Sequence, residues 1–227
     1  MSITNKQKYL KYKNKYLTLK NQLGSGGLNT ISDINEDIFK KYPSVIDQPD
    51  NINKDNFGIS FEDATFNLSS INTSTNNFDC LIHSFLDSTC LNFRKLLQSQ
   101  KNSYANWFRR EYFYSLFKKA PTNKIYNFLN RDDELFNELY SDIKPVVYLQ
   151  GYHALLLAEI YKINIIIVTK VRDQTLKAAK LDSGSDNTII IYNPGDGHFR
   201  GVRKNSDTFM FTKDDNLFIE SVLNKYK

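Results

Sequence analysis

The chain has 227 residues, of which 41% are hydrophobic and 14% aromatic, enough to bury one sizeable core. Two cysteines exclude a disulfide framework, and no group of cysteines and histidines has zinc-ligand spacing, so neither a metal nor a cofactor is predicted. No run approaches the ~20 apolar residues of a membrane-spanning helix, and the N-terminus lacks the apolar segment of a signal peptide. The composition therefore predicts a soluble protein of a reducing cytosol, without a membrane span.

The net charge of +5 is concentrated at one end of the chain. Residues 1–23 contain six lysines and no acidic residue, which leaves 24 basic against 25 acidic residues elsewhere. A nucleic-acid partner is therefore not predicted for the bulk of the chain, because its basic and acidic residues nearly balance.

The basic N-terminal segment predicts a helical arm from Asn5 to Leu23. Its tyrosines and leucines recur every three or four residues between lysines, and the arm ends at the flexible linker Gly24–Gly27. We divide the chain accordingly into an arm and linker, 1–27, and a globular domain, 28–227. The arm serves as a docking or addressing element, as a binder of anionic membrane or nucleic acid, or only as a solvated helix.

Helical patterns dominate the middle of the chain, and strand patterns dominate its end. The predicted helices are Asp33–Lys41, Cys80–Ser88, Leu91–Gln100, Ser103–Lys119, Asn123–Asn130, Asp132–Ile143, one starting near Leu149, and Asn216–Lys225. The predicted strands are Ala64–Ile71, Ile163–Thr169, Thr188–Tyr192, His198–Arg203 and Thr208–Phe211. This order predicts an α+β fold in which helices pack around a small central sheet.

Cys80 is the main candidate for a reactive group. It stands where the polar segment ending Asn77-Phe78-Asp79 turns into an apolar helix. A thiol at a helix N-terminus is close to unpaired backbone N–H groups and to the positive end of the helix dipole. This position favours the thiolate and predicts a nucleophile. The alternative is a purely structural role, as a small buried hydrophobic residue.

His198 is the best partner for Cys80 among the three histidines. It follows a Pro-Gly-Asp-Gly turn and precedes Phe199, so a strand could bury the phenyl ring while it presents the imidazole to the cysteine. His83 lies on the cysteine helix itself and is predicted to pack, and His153 is predicted to be a core histidine with its hydrogen bonds satisfied. Cys90 is predicted to be buried and inert.

Three motifs in this order resemble the OTU (ovarian tumour) family of papain-like deubiquitinating cysteine proteases. They are Cys80-Leu81-Ile82-His83-Ser84, the helix from Tyr148 to Tyr161 running into the strand Ile163–Thr169, and Gly197-His198-Phe199. The resemblance extends over roughly residues 61–202. It implies a papain-like OTU fold and hydrolysis of isopeptide or peptide bonds after the C-terminus of ubiquitin.

The resemblance implies roles for individual residues. Cys80 would attack the carbonyl and His198 would transfer the proton. The backbone N–H groups of Asn77, Phe78 and Asp79 would form the oxyanion hole, although the family's Asp-Gly-Asn sequence is absent here.

The residue that orients His198 is left open by the sequence. The family's acidic residue or asparagine two positions after the histidine is replaced by Arg200, which cannot accept a hydrogen bond. Asp196 is the first candidate for this role, and Asn72, Asp63 and Asp50 are the alternatives.

Ubiquitin or polyubiquitin is the partner that the resemblance implies, with other ubiquitin-like modifiers as an alternative. A catalytically inactive ubiquitin-binding module is a second hypothesis, because of Arg200 and the missing glycine. A nucleic-acid-binding protein is a third, and it depends on the arm alone.

The arm is similar to N-terminal segments of proteins from giant DNA viruses, which implies a viral protein in the host cytoplasm or packaged in the virion.

Overall fold

A computed structural model of the chain describes residues 60–71, 79–113, 149–195 and 198–227. Several predictions fall outside these ranges. They are the arm 1–27, the helices Asp33–Lys41, Asn123–Asn130 and Asp132–Ile143, and the site candidates Asp50, Asn72, Asn77, Phe78 and Asp196. These predictions and the boundary between residues 27 and 28 remain predictions.

A single mixed sheet organises the described chain. Its strands are β1 (Glu62–Asp63), β2 (Leu68–Ser70), β3 (Asn164–Lys170), β4 (Leu176–Leu181), β5 (Thr188–Asn193), β6 (Arg200–Lys204) and β7 (Met210–Phe211). The order across the sheet is β1-β2-β6-β5-β3-β4, and β7 pairs with the start of β5. Strands β3 and β5 are parallel, and the other pairs are antiparallel. Both strands of the parallel pair have neighbours on either side, and their isoleucine-rich runs are buried on both faces.

Helices cover the sheet. In chain order they are α1 (Cys80–Thr89), α2 (Leu91–Arg94), α3 (Gln98–Trp107) with a π-helix (Phe108–Phe113), α4 (Gly151–Tyr161), a 3-10 turn (Lys213–Asp215) and α5 (Asn216–Lys225). Ile165, Ile167, Ile189 and Ile191 share a core with α1 and α4, whereas the alternate positions Ile166, Val168, Ile190 and Tyr192 share one with α5. The period-two alternation of strand side chains thus divides the core into two layers.

Helix α1 lies in the middle of the first layer, and every one of its ten residues is buried. Strand β6 packs closely against it at Gly201. A Cβ atom added there would lie 2.9 Å from Ser88 Oγ and 3.2 Å from the Ser84 carbonyl oxygen. The glycine therefore permits the close approach of the start of β6 to the second half of α1, at Ser84 and Ser88.

Two predicted elements are divided in the structure. Of the predicted strand Ala64–Ile71, only Leu68–Ser70 (β2) is a strand. Residues 64–67 form the turn between β1 and β2, in which the Asp63 carboxylate accepts a hydrogen bond from the Thr65 N–H and Asn67 takes a left-handed conformation. The predicted helix Leu91–Gln100 ends at Arg94, and α3 begins at Gln98. The predicted helix Ser103–Lys119 starts too late and changes to a π-helix at Phe108, and its residues 114–119 lie outside the described ranges.

The sheet also differs from the prediction at two strands. Strand β4 was missed because its Leu-Lys-Ala-Ala-Lys-Leu sequence is weakly strand-forming and lies at the sheet edge. The predicted strand His198–Arg203 begins two residues later, at Arg200, so that His198 precedes the strand. Helix α5 matches its predicted bounds, and the α+β class is confirmed. None of the described helices combines the length and apolar character needed to span a membrane.

Candidate active site

Cys80 is the first residue of α1, and its side chain is fully buried. The helix begins there because the Asp79 carbonyl accepts the first helical hydrogen bond, from the His83 N–H at 2.9 Å. The thiol accepts hydrogen bonds from backbone N–H groups, those of Phe199, Leu81 and Cys80 itself. The predicted position of the cysteine, at a polar-to-apolar helix start, is confirmed.

The Phe199 hydrogen bond connects the two halves of the predicted site. Phe199 is buried in the same core as α1, and its N–H reaches the Cys80 thiol across 119 residues of sequence. His198 is the preceding residue and is only half-buried, with its Nδ1 atom enclosed. The structure therefore brings the His198–Phe199 segment against the cysteine with the phenyl ring buried, although both residues precede β6 and are not part of the predicted strand.

Burial changes the expected state of the thiol. The helix N-terminus predicted a favoured thiolate, but burial and the nearby Asp79 carboxylate raise the pKa of Cys80 to about 11, although the Phe199 and Leu81 N–H groups oppose this. The prediction was wrong for this state of the molecule, because removal of the thiolate from water costs more than these hydrogen bonds return. Cys80 is a neutral thiol here, and nucleophilic attack requires that a base remove its proton.

A buried ion pair adjoins Cys80 and was missed in the sequence. Asp79 Oδ1 lies 2.8 Å from the guanidinium of Arg109, which the π-helix supplies, and each side chain is only 2% exposed. Burial raises the pKa of the Asp79 carboxyl, and the hydrogen bond and charge of Arg109 oppose that effect. No local motif identifies this pair, since its members are 30 residues apart.

The two other histidines have structural positions. His83 is buried edge-on against Phe93, with ring centroids 5.5 Å apart, and burial lowers its pKa to about 3. His153 is buried at the start of α4, where its Nδ1 accepts a hydrogen bond from the Gln150 N–H at 2.8 Å. The packing role predicted for His83 agrees with this contact. His153 lies in the core as predicted, and its hydrogen bond with Gln150 is made at Nδ1. Cys90 is buried too, as predicted.

Asp63 is not placed to orient His198. Its carboxylate accepts hydrogen bonds from Lys225 Nζ at 2.9 Å and from the Tyr226 hydroxyl, on the α5 side of the sheet. In the strand register, β1 lies beside the end of β6 that contains Lys204, six residues from His198 and so roughly 20 Å away.

Asp79 is the described member of the predicted oxyanion-hole set. Within the described ranges, no three metal-ligating side chains converge.

Comparison with known proteins gives matches to structures alone. No family model and no curated protein matches this chain. Similar solved structures include an ovarian tumour (OTU) domain in complex with ubiquitin, at 17% identity and a TM-score of 0.46 over 69% of this chain and 84% of that one.

Two further structures score somewhat lower. The OTU domain of OTUD1 matches at 14% identity and a TM-score of 0.41, over 60% of this chain and 85% of that one. An OTU deubiquitinase from Wolbachia pipientis wMel matches at 17% identity and a TM-score of 0.41, over 62% and 91% respectively. Because these scores and identities are low, the α+β class stated above depends on this chain's own helices and sheet.

Proposed function

We propose that the protein is a cysteine-type deubiquitinase that uses Cys80 as nucleophile and His198 as general base. The observation that carries the proposal is the Phe199 N–H on the Cys80 thiol, because it holds the histidine segment against the start of α1. The order of the three sequence motifs, which resembles that of OTU proteases, supplies the substrate class. Neither a metal nor a cofactor enters this chemistry.

The reaction is an acyl transfer in two stages. Because burial raises the pKa of the Cys80 thiol, the thiol is neutral near pH 7, and His198 accepts its proton as the sulfur attacks the carbonyl carbon. The carbon–nitrogen bond then breaks, and His198 returns the proton to the leaving lysine amine. Water, deprotonated by the same imidazole, hydrolyses the thioester and restores the thiol.

Substrate must also reach a thiol that is fully buried in the described state. We infer that binding of the ubiquitin C-terminus displaces the groups that cover Cys80. We also propose Asp196 as the residue that orients His198, and the backbone of Asn77, Phe78 and Asp79 as the oxyanion hole. The host cytoplasm remains the proposed location.

Ubiquitin with an electrophilic C-terminus, analysed by intact mass, tests the proposal. The wild-type protein is expected to form a covalent adduct, and Cys80→Ala and His198→Ala are expected to abolish it or reduce it at least a hundredfold. Cys90→Ala is the matched control, since it removes the other buried thiol and should leave the adduct unchanged. A folded wild-type protein that forms no adduct, or an adduct that persists in Cys80→Ala, contradicts the proposal.

The second candidate function is an inactive ubiquitin-binding module. It is favoured by the burial of Cys80 and by Arg200, which replaces a hydrogen-bond acceptor with a cation. Ubiquitin affinity separates the two functions when it is measured with and without Cys80→Ala alongside the adduct assay. The inactive module predicts affinity that is indifferent to the substitution, together with no adduct in the wild type. A protease for another modifier predicts an adduct with that modifier's electrophile and none with ubiquitin's.

A further inference from the structure

The carboxylate of the Asp79–Arg109 ion pair belongs to the N-cap residue of α1, a position whose side chain usually caps the helix. Asp79 is the N-cap residue of α1, where a carboxylate normally accepts hydrogen bonds from the first backbone N–H groups. Here its side chain makes no capping hydrogen bond and turns to Arg109 instead, at 2.8 Å. The other carboxylate oxygen, Oδ2, has no hydrogen-bond partner in the described ranges. The guanidinium is thus the group that holds this carboxylate.

An uncompensated charge at this position would be costly, and it would act directly on the neighbouring thiol. Both side chains of the pair are 2% exposed, so neither charge is screened by water. The Asp79 carboxylate already disfavours ionisation of Cys80, and it does so with Arg109 present. A cation that balances the carboxylate therefore limits this effect.

We propose that Arg109 is a positioning residue for Cys80, which fixes the Asp79 side chain at the start of α1 and cancels its charge beside the thiol. The proposal rests on the proposed function only in taking Cys80 as the nucleophile. Arg109 acts through Asp79 and has no assigned contact with the substrate.

The other ionisable groups around the thiol set the background for a test. Arg110, the next residue of the π-helix, also acts on the Asp79 carboxyl through its charge. His198 adjoins Phe199, whose N–H contacts the thiol, and His83 on α1 itself stays neutral because burial lowers its pKa. All of these groups are retained when Asp79 and Arg109 are changed to neutral residues of similar shape.

Alkylation of the full-length protein by iodoacetamide tests the proposal without the use of ubiquitin. Cys80 and Cys90 are quantified separately by peptide mass, between pH 7 and pH 10, in Asp79→Asn, Arg109→Gln and the double variant. Asp79→Asn leaves an unbalanced cation and should alkylate Cys80 about tenfold faster than the wild type at a given pH, as expected for a shift of one pKa unit. Arg109→Gln leaves an unbalanced carboxylate and should slow alkylation about tenfold at the alkaline end of the range, where that carboxyl is ionised. The double variant should return to within about threefold of the wild type.

Cys90 is the internal control. It is buried in the same core but lies at the start of α2, so its alkylation rate should not change. A merely structural role for the pair predicts that both single variants loosen the fold and alkylate both cysteines faster. That outcome overturns the proposal, as does a double variant that is no closer to the wild type than either single variant. If Arg109→Gln does not fold, the comparison of Asp79→Asn with the double variant still tests the proposal. Only the proposal predicts faster alkylation of Cys80 in Asp79→Asn and a return toward the wild-type rate in the double variant.

The same four proteins in the ubiquitin-adduct assay separate this inference from the proposed function. Absence of any adduct in the wild type counts against the proposed function and leaves the alkylation result standing. A normal adduct rate in the wild type with unshifted Cys80 alkylation in both single variants refutes the role of Arg109 alone.

Discussion

Gly201→Ala should destabilise the protein, because β6 approaches α1 too closely for a methyl group. The new Cβ would lie 2.9 Å from Ser88 Oγ, 3.2 Å from the Ser84 carbonyl oxygen and 3.4 Å from Ile71 Cδ1. Ser88 cannot rotate away freely, since its hydroxyl donates a 2.8 Å hydrogen bond to the same Ser84 carbonyl. That carbonyl belongs to a fully buried helix and cannot yield without moving α1.

The expected cost follows from two opposing effects. Overpacking of a dense core costs about 1–3 kcal/mol. Alanine also restricts the unfolded chain more than glycine does, which returns up to about 1 kcal/mol. A net loss of about 1–2 kcal/mol corresponds to a decrease in Tm of about 2–8 °C for a chain of this size.

Thermal and urea unfolding of Gly201→Ala, beside Gly151→Ala, provides the assay. Among the described residues, a Cβ at Gly151 would meet only Ile167 Cδ1, at 3.9 Å. The control substitution at the start of α4 should therefore be neutral or stabilise by up to about 1 kcal/mol. Adding Ser88→Ala to Gly201→Ala removes the nearest obstacle and should recover part of the loss. An unchanged or raised Tm for Gly201→Ala would show that β6 does not lie this close to α1, and the contact between Phe199 and Cys80 would then be in doubt.

Two further substitutions test the buried polar groups. Asp63→Asn should lower the free energy of unfolding by about 1–3 kcal/mol at pH 7, because it weakens the hydrogen bonds from Lys225 and Tyr226. The control Asp182→Asn, at the exposed ion pair with Lys180, should lower it by less than about 1 kcal/mol. Burial raises the pKa of Asp63, but the hydrogen bonds outweigh burial and lower this pKa below its usual 3.8. The stability that Asp63 contributes is therefore present above pH 3.8 and is lost as the pH falls through the folded-state pKa. A stability difference between wild type and Asp63→Asn that does not shrink below about pH 4 in urea unfolding contradicts this. Burial lowers the pKa of His83 from 6.5 to about 3. The free energy of unfolding of the wild type is therefore unaffected by this group above pH 6.5 and should be about 2 kcal/mol lower at pH 5, where folding must keep the imidazole neutral. His83→Leu should lack that decrease, and equal pH profiles for the two proteins refute the reasoning.

The cysteine half of the candidate site could be predicted from the sequence because its signals are local. A polar segment followed by an apolar run places Cys80 at a helix start, and a helix start requires only neighbouring residues. The same holds for α5, whose bounds match the prediction, and for the buried isoleucine runs of β3 and β5. Strand β4 was missed because its lysines and alanines form a strand only when β3 offers a free edge.

Sequence alone determined that this chain forms an α+β core with one plausible nucleophile and one plausible imidazole partner. Only the tertiary structure decided the state of that nucleophile and its surroundings. The burial that raises the pKa of Cys80, the Phe199 N–H on its thiol and the ion pair of Asp79 with Arg109 all join segments distant in sequence. The energy of a charge depends on how much water the whole fold removes from it and on which opposite charge the fold brings near, and no local pattern of residues specifies either.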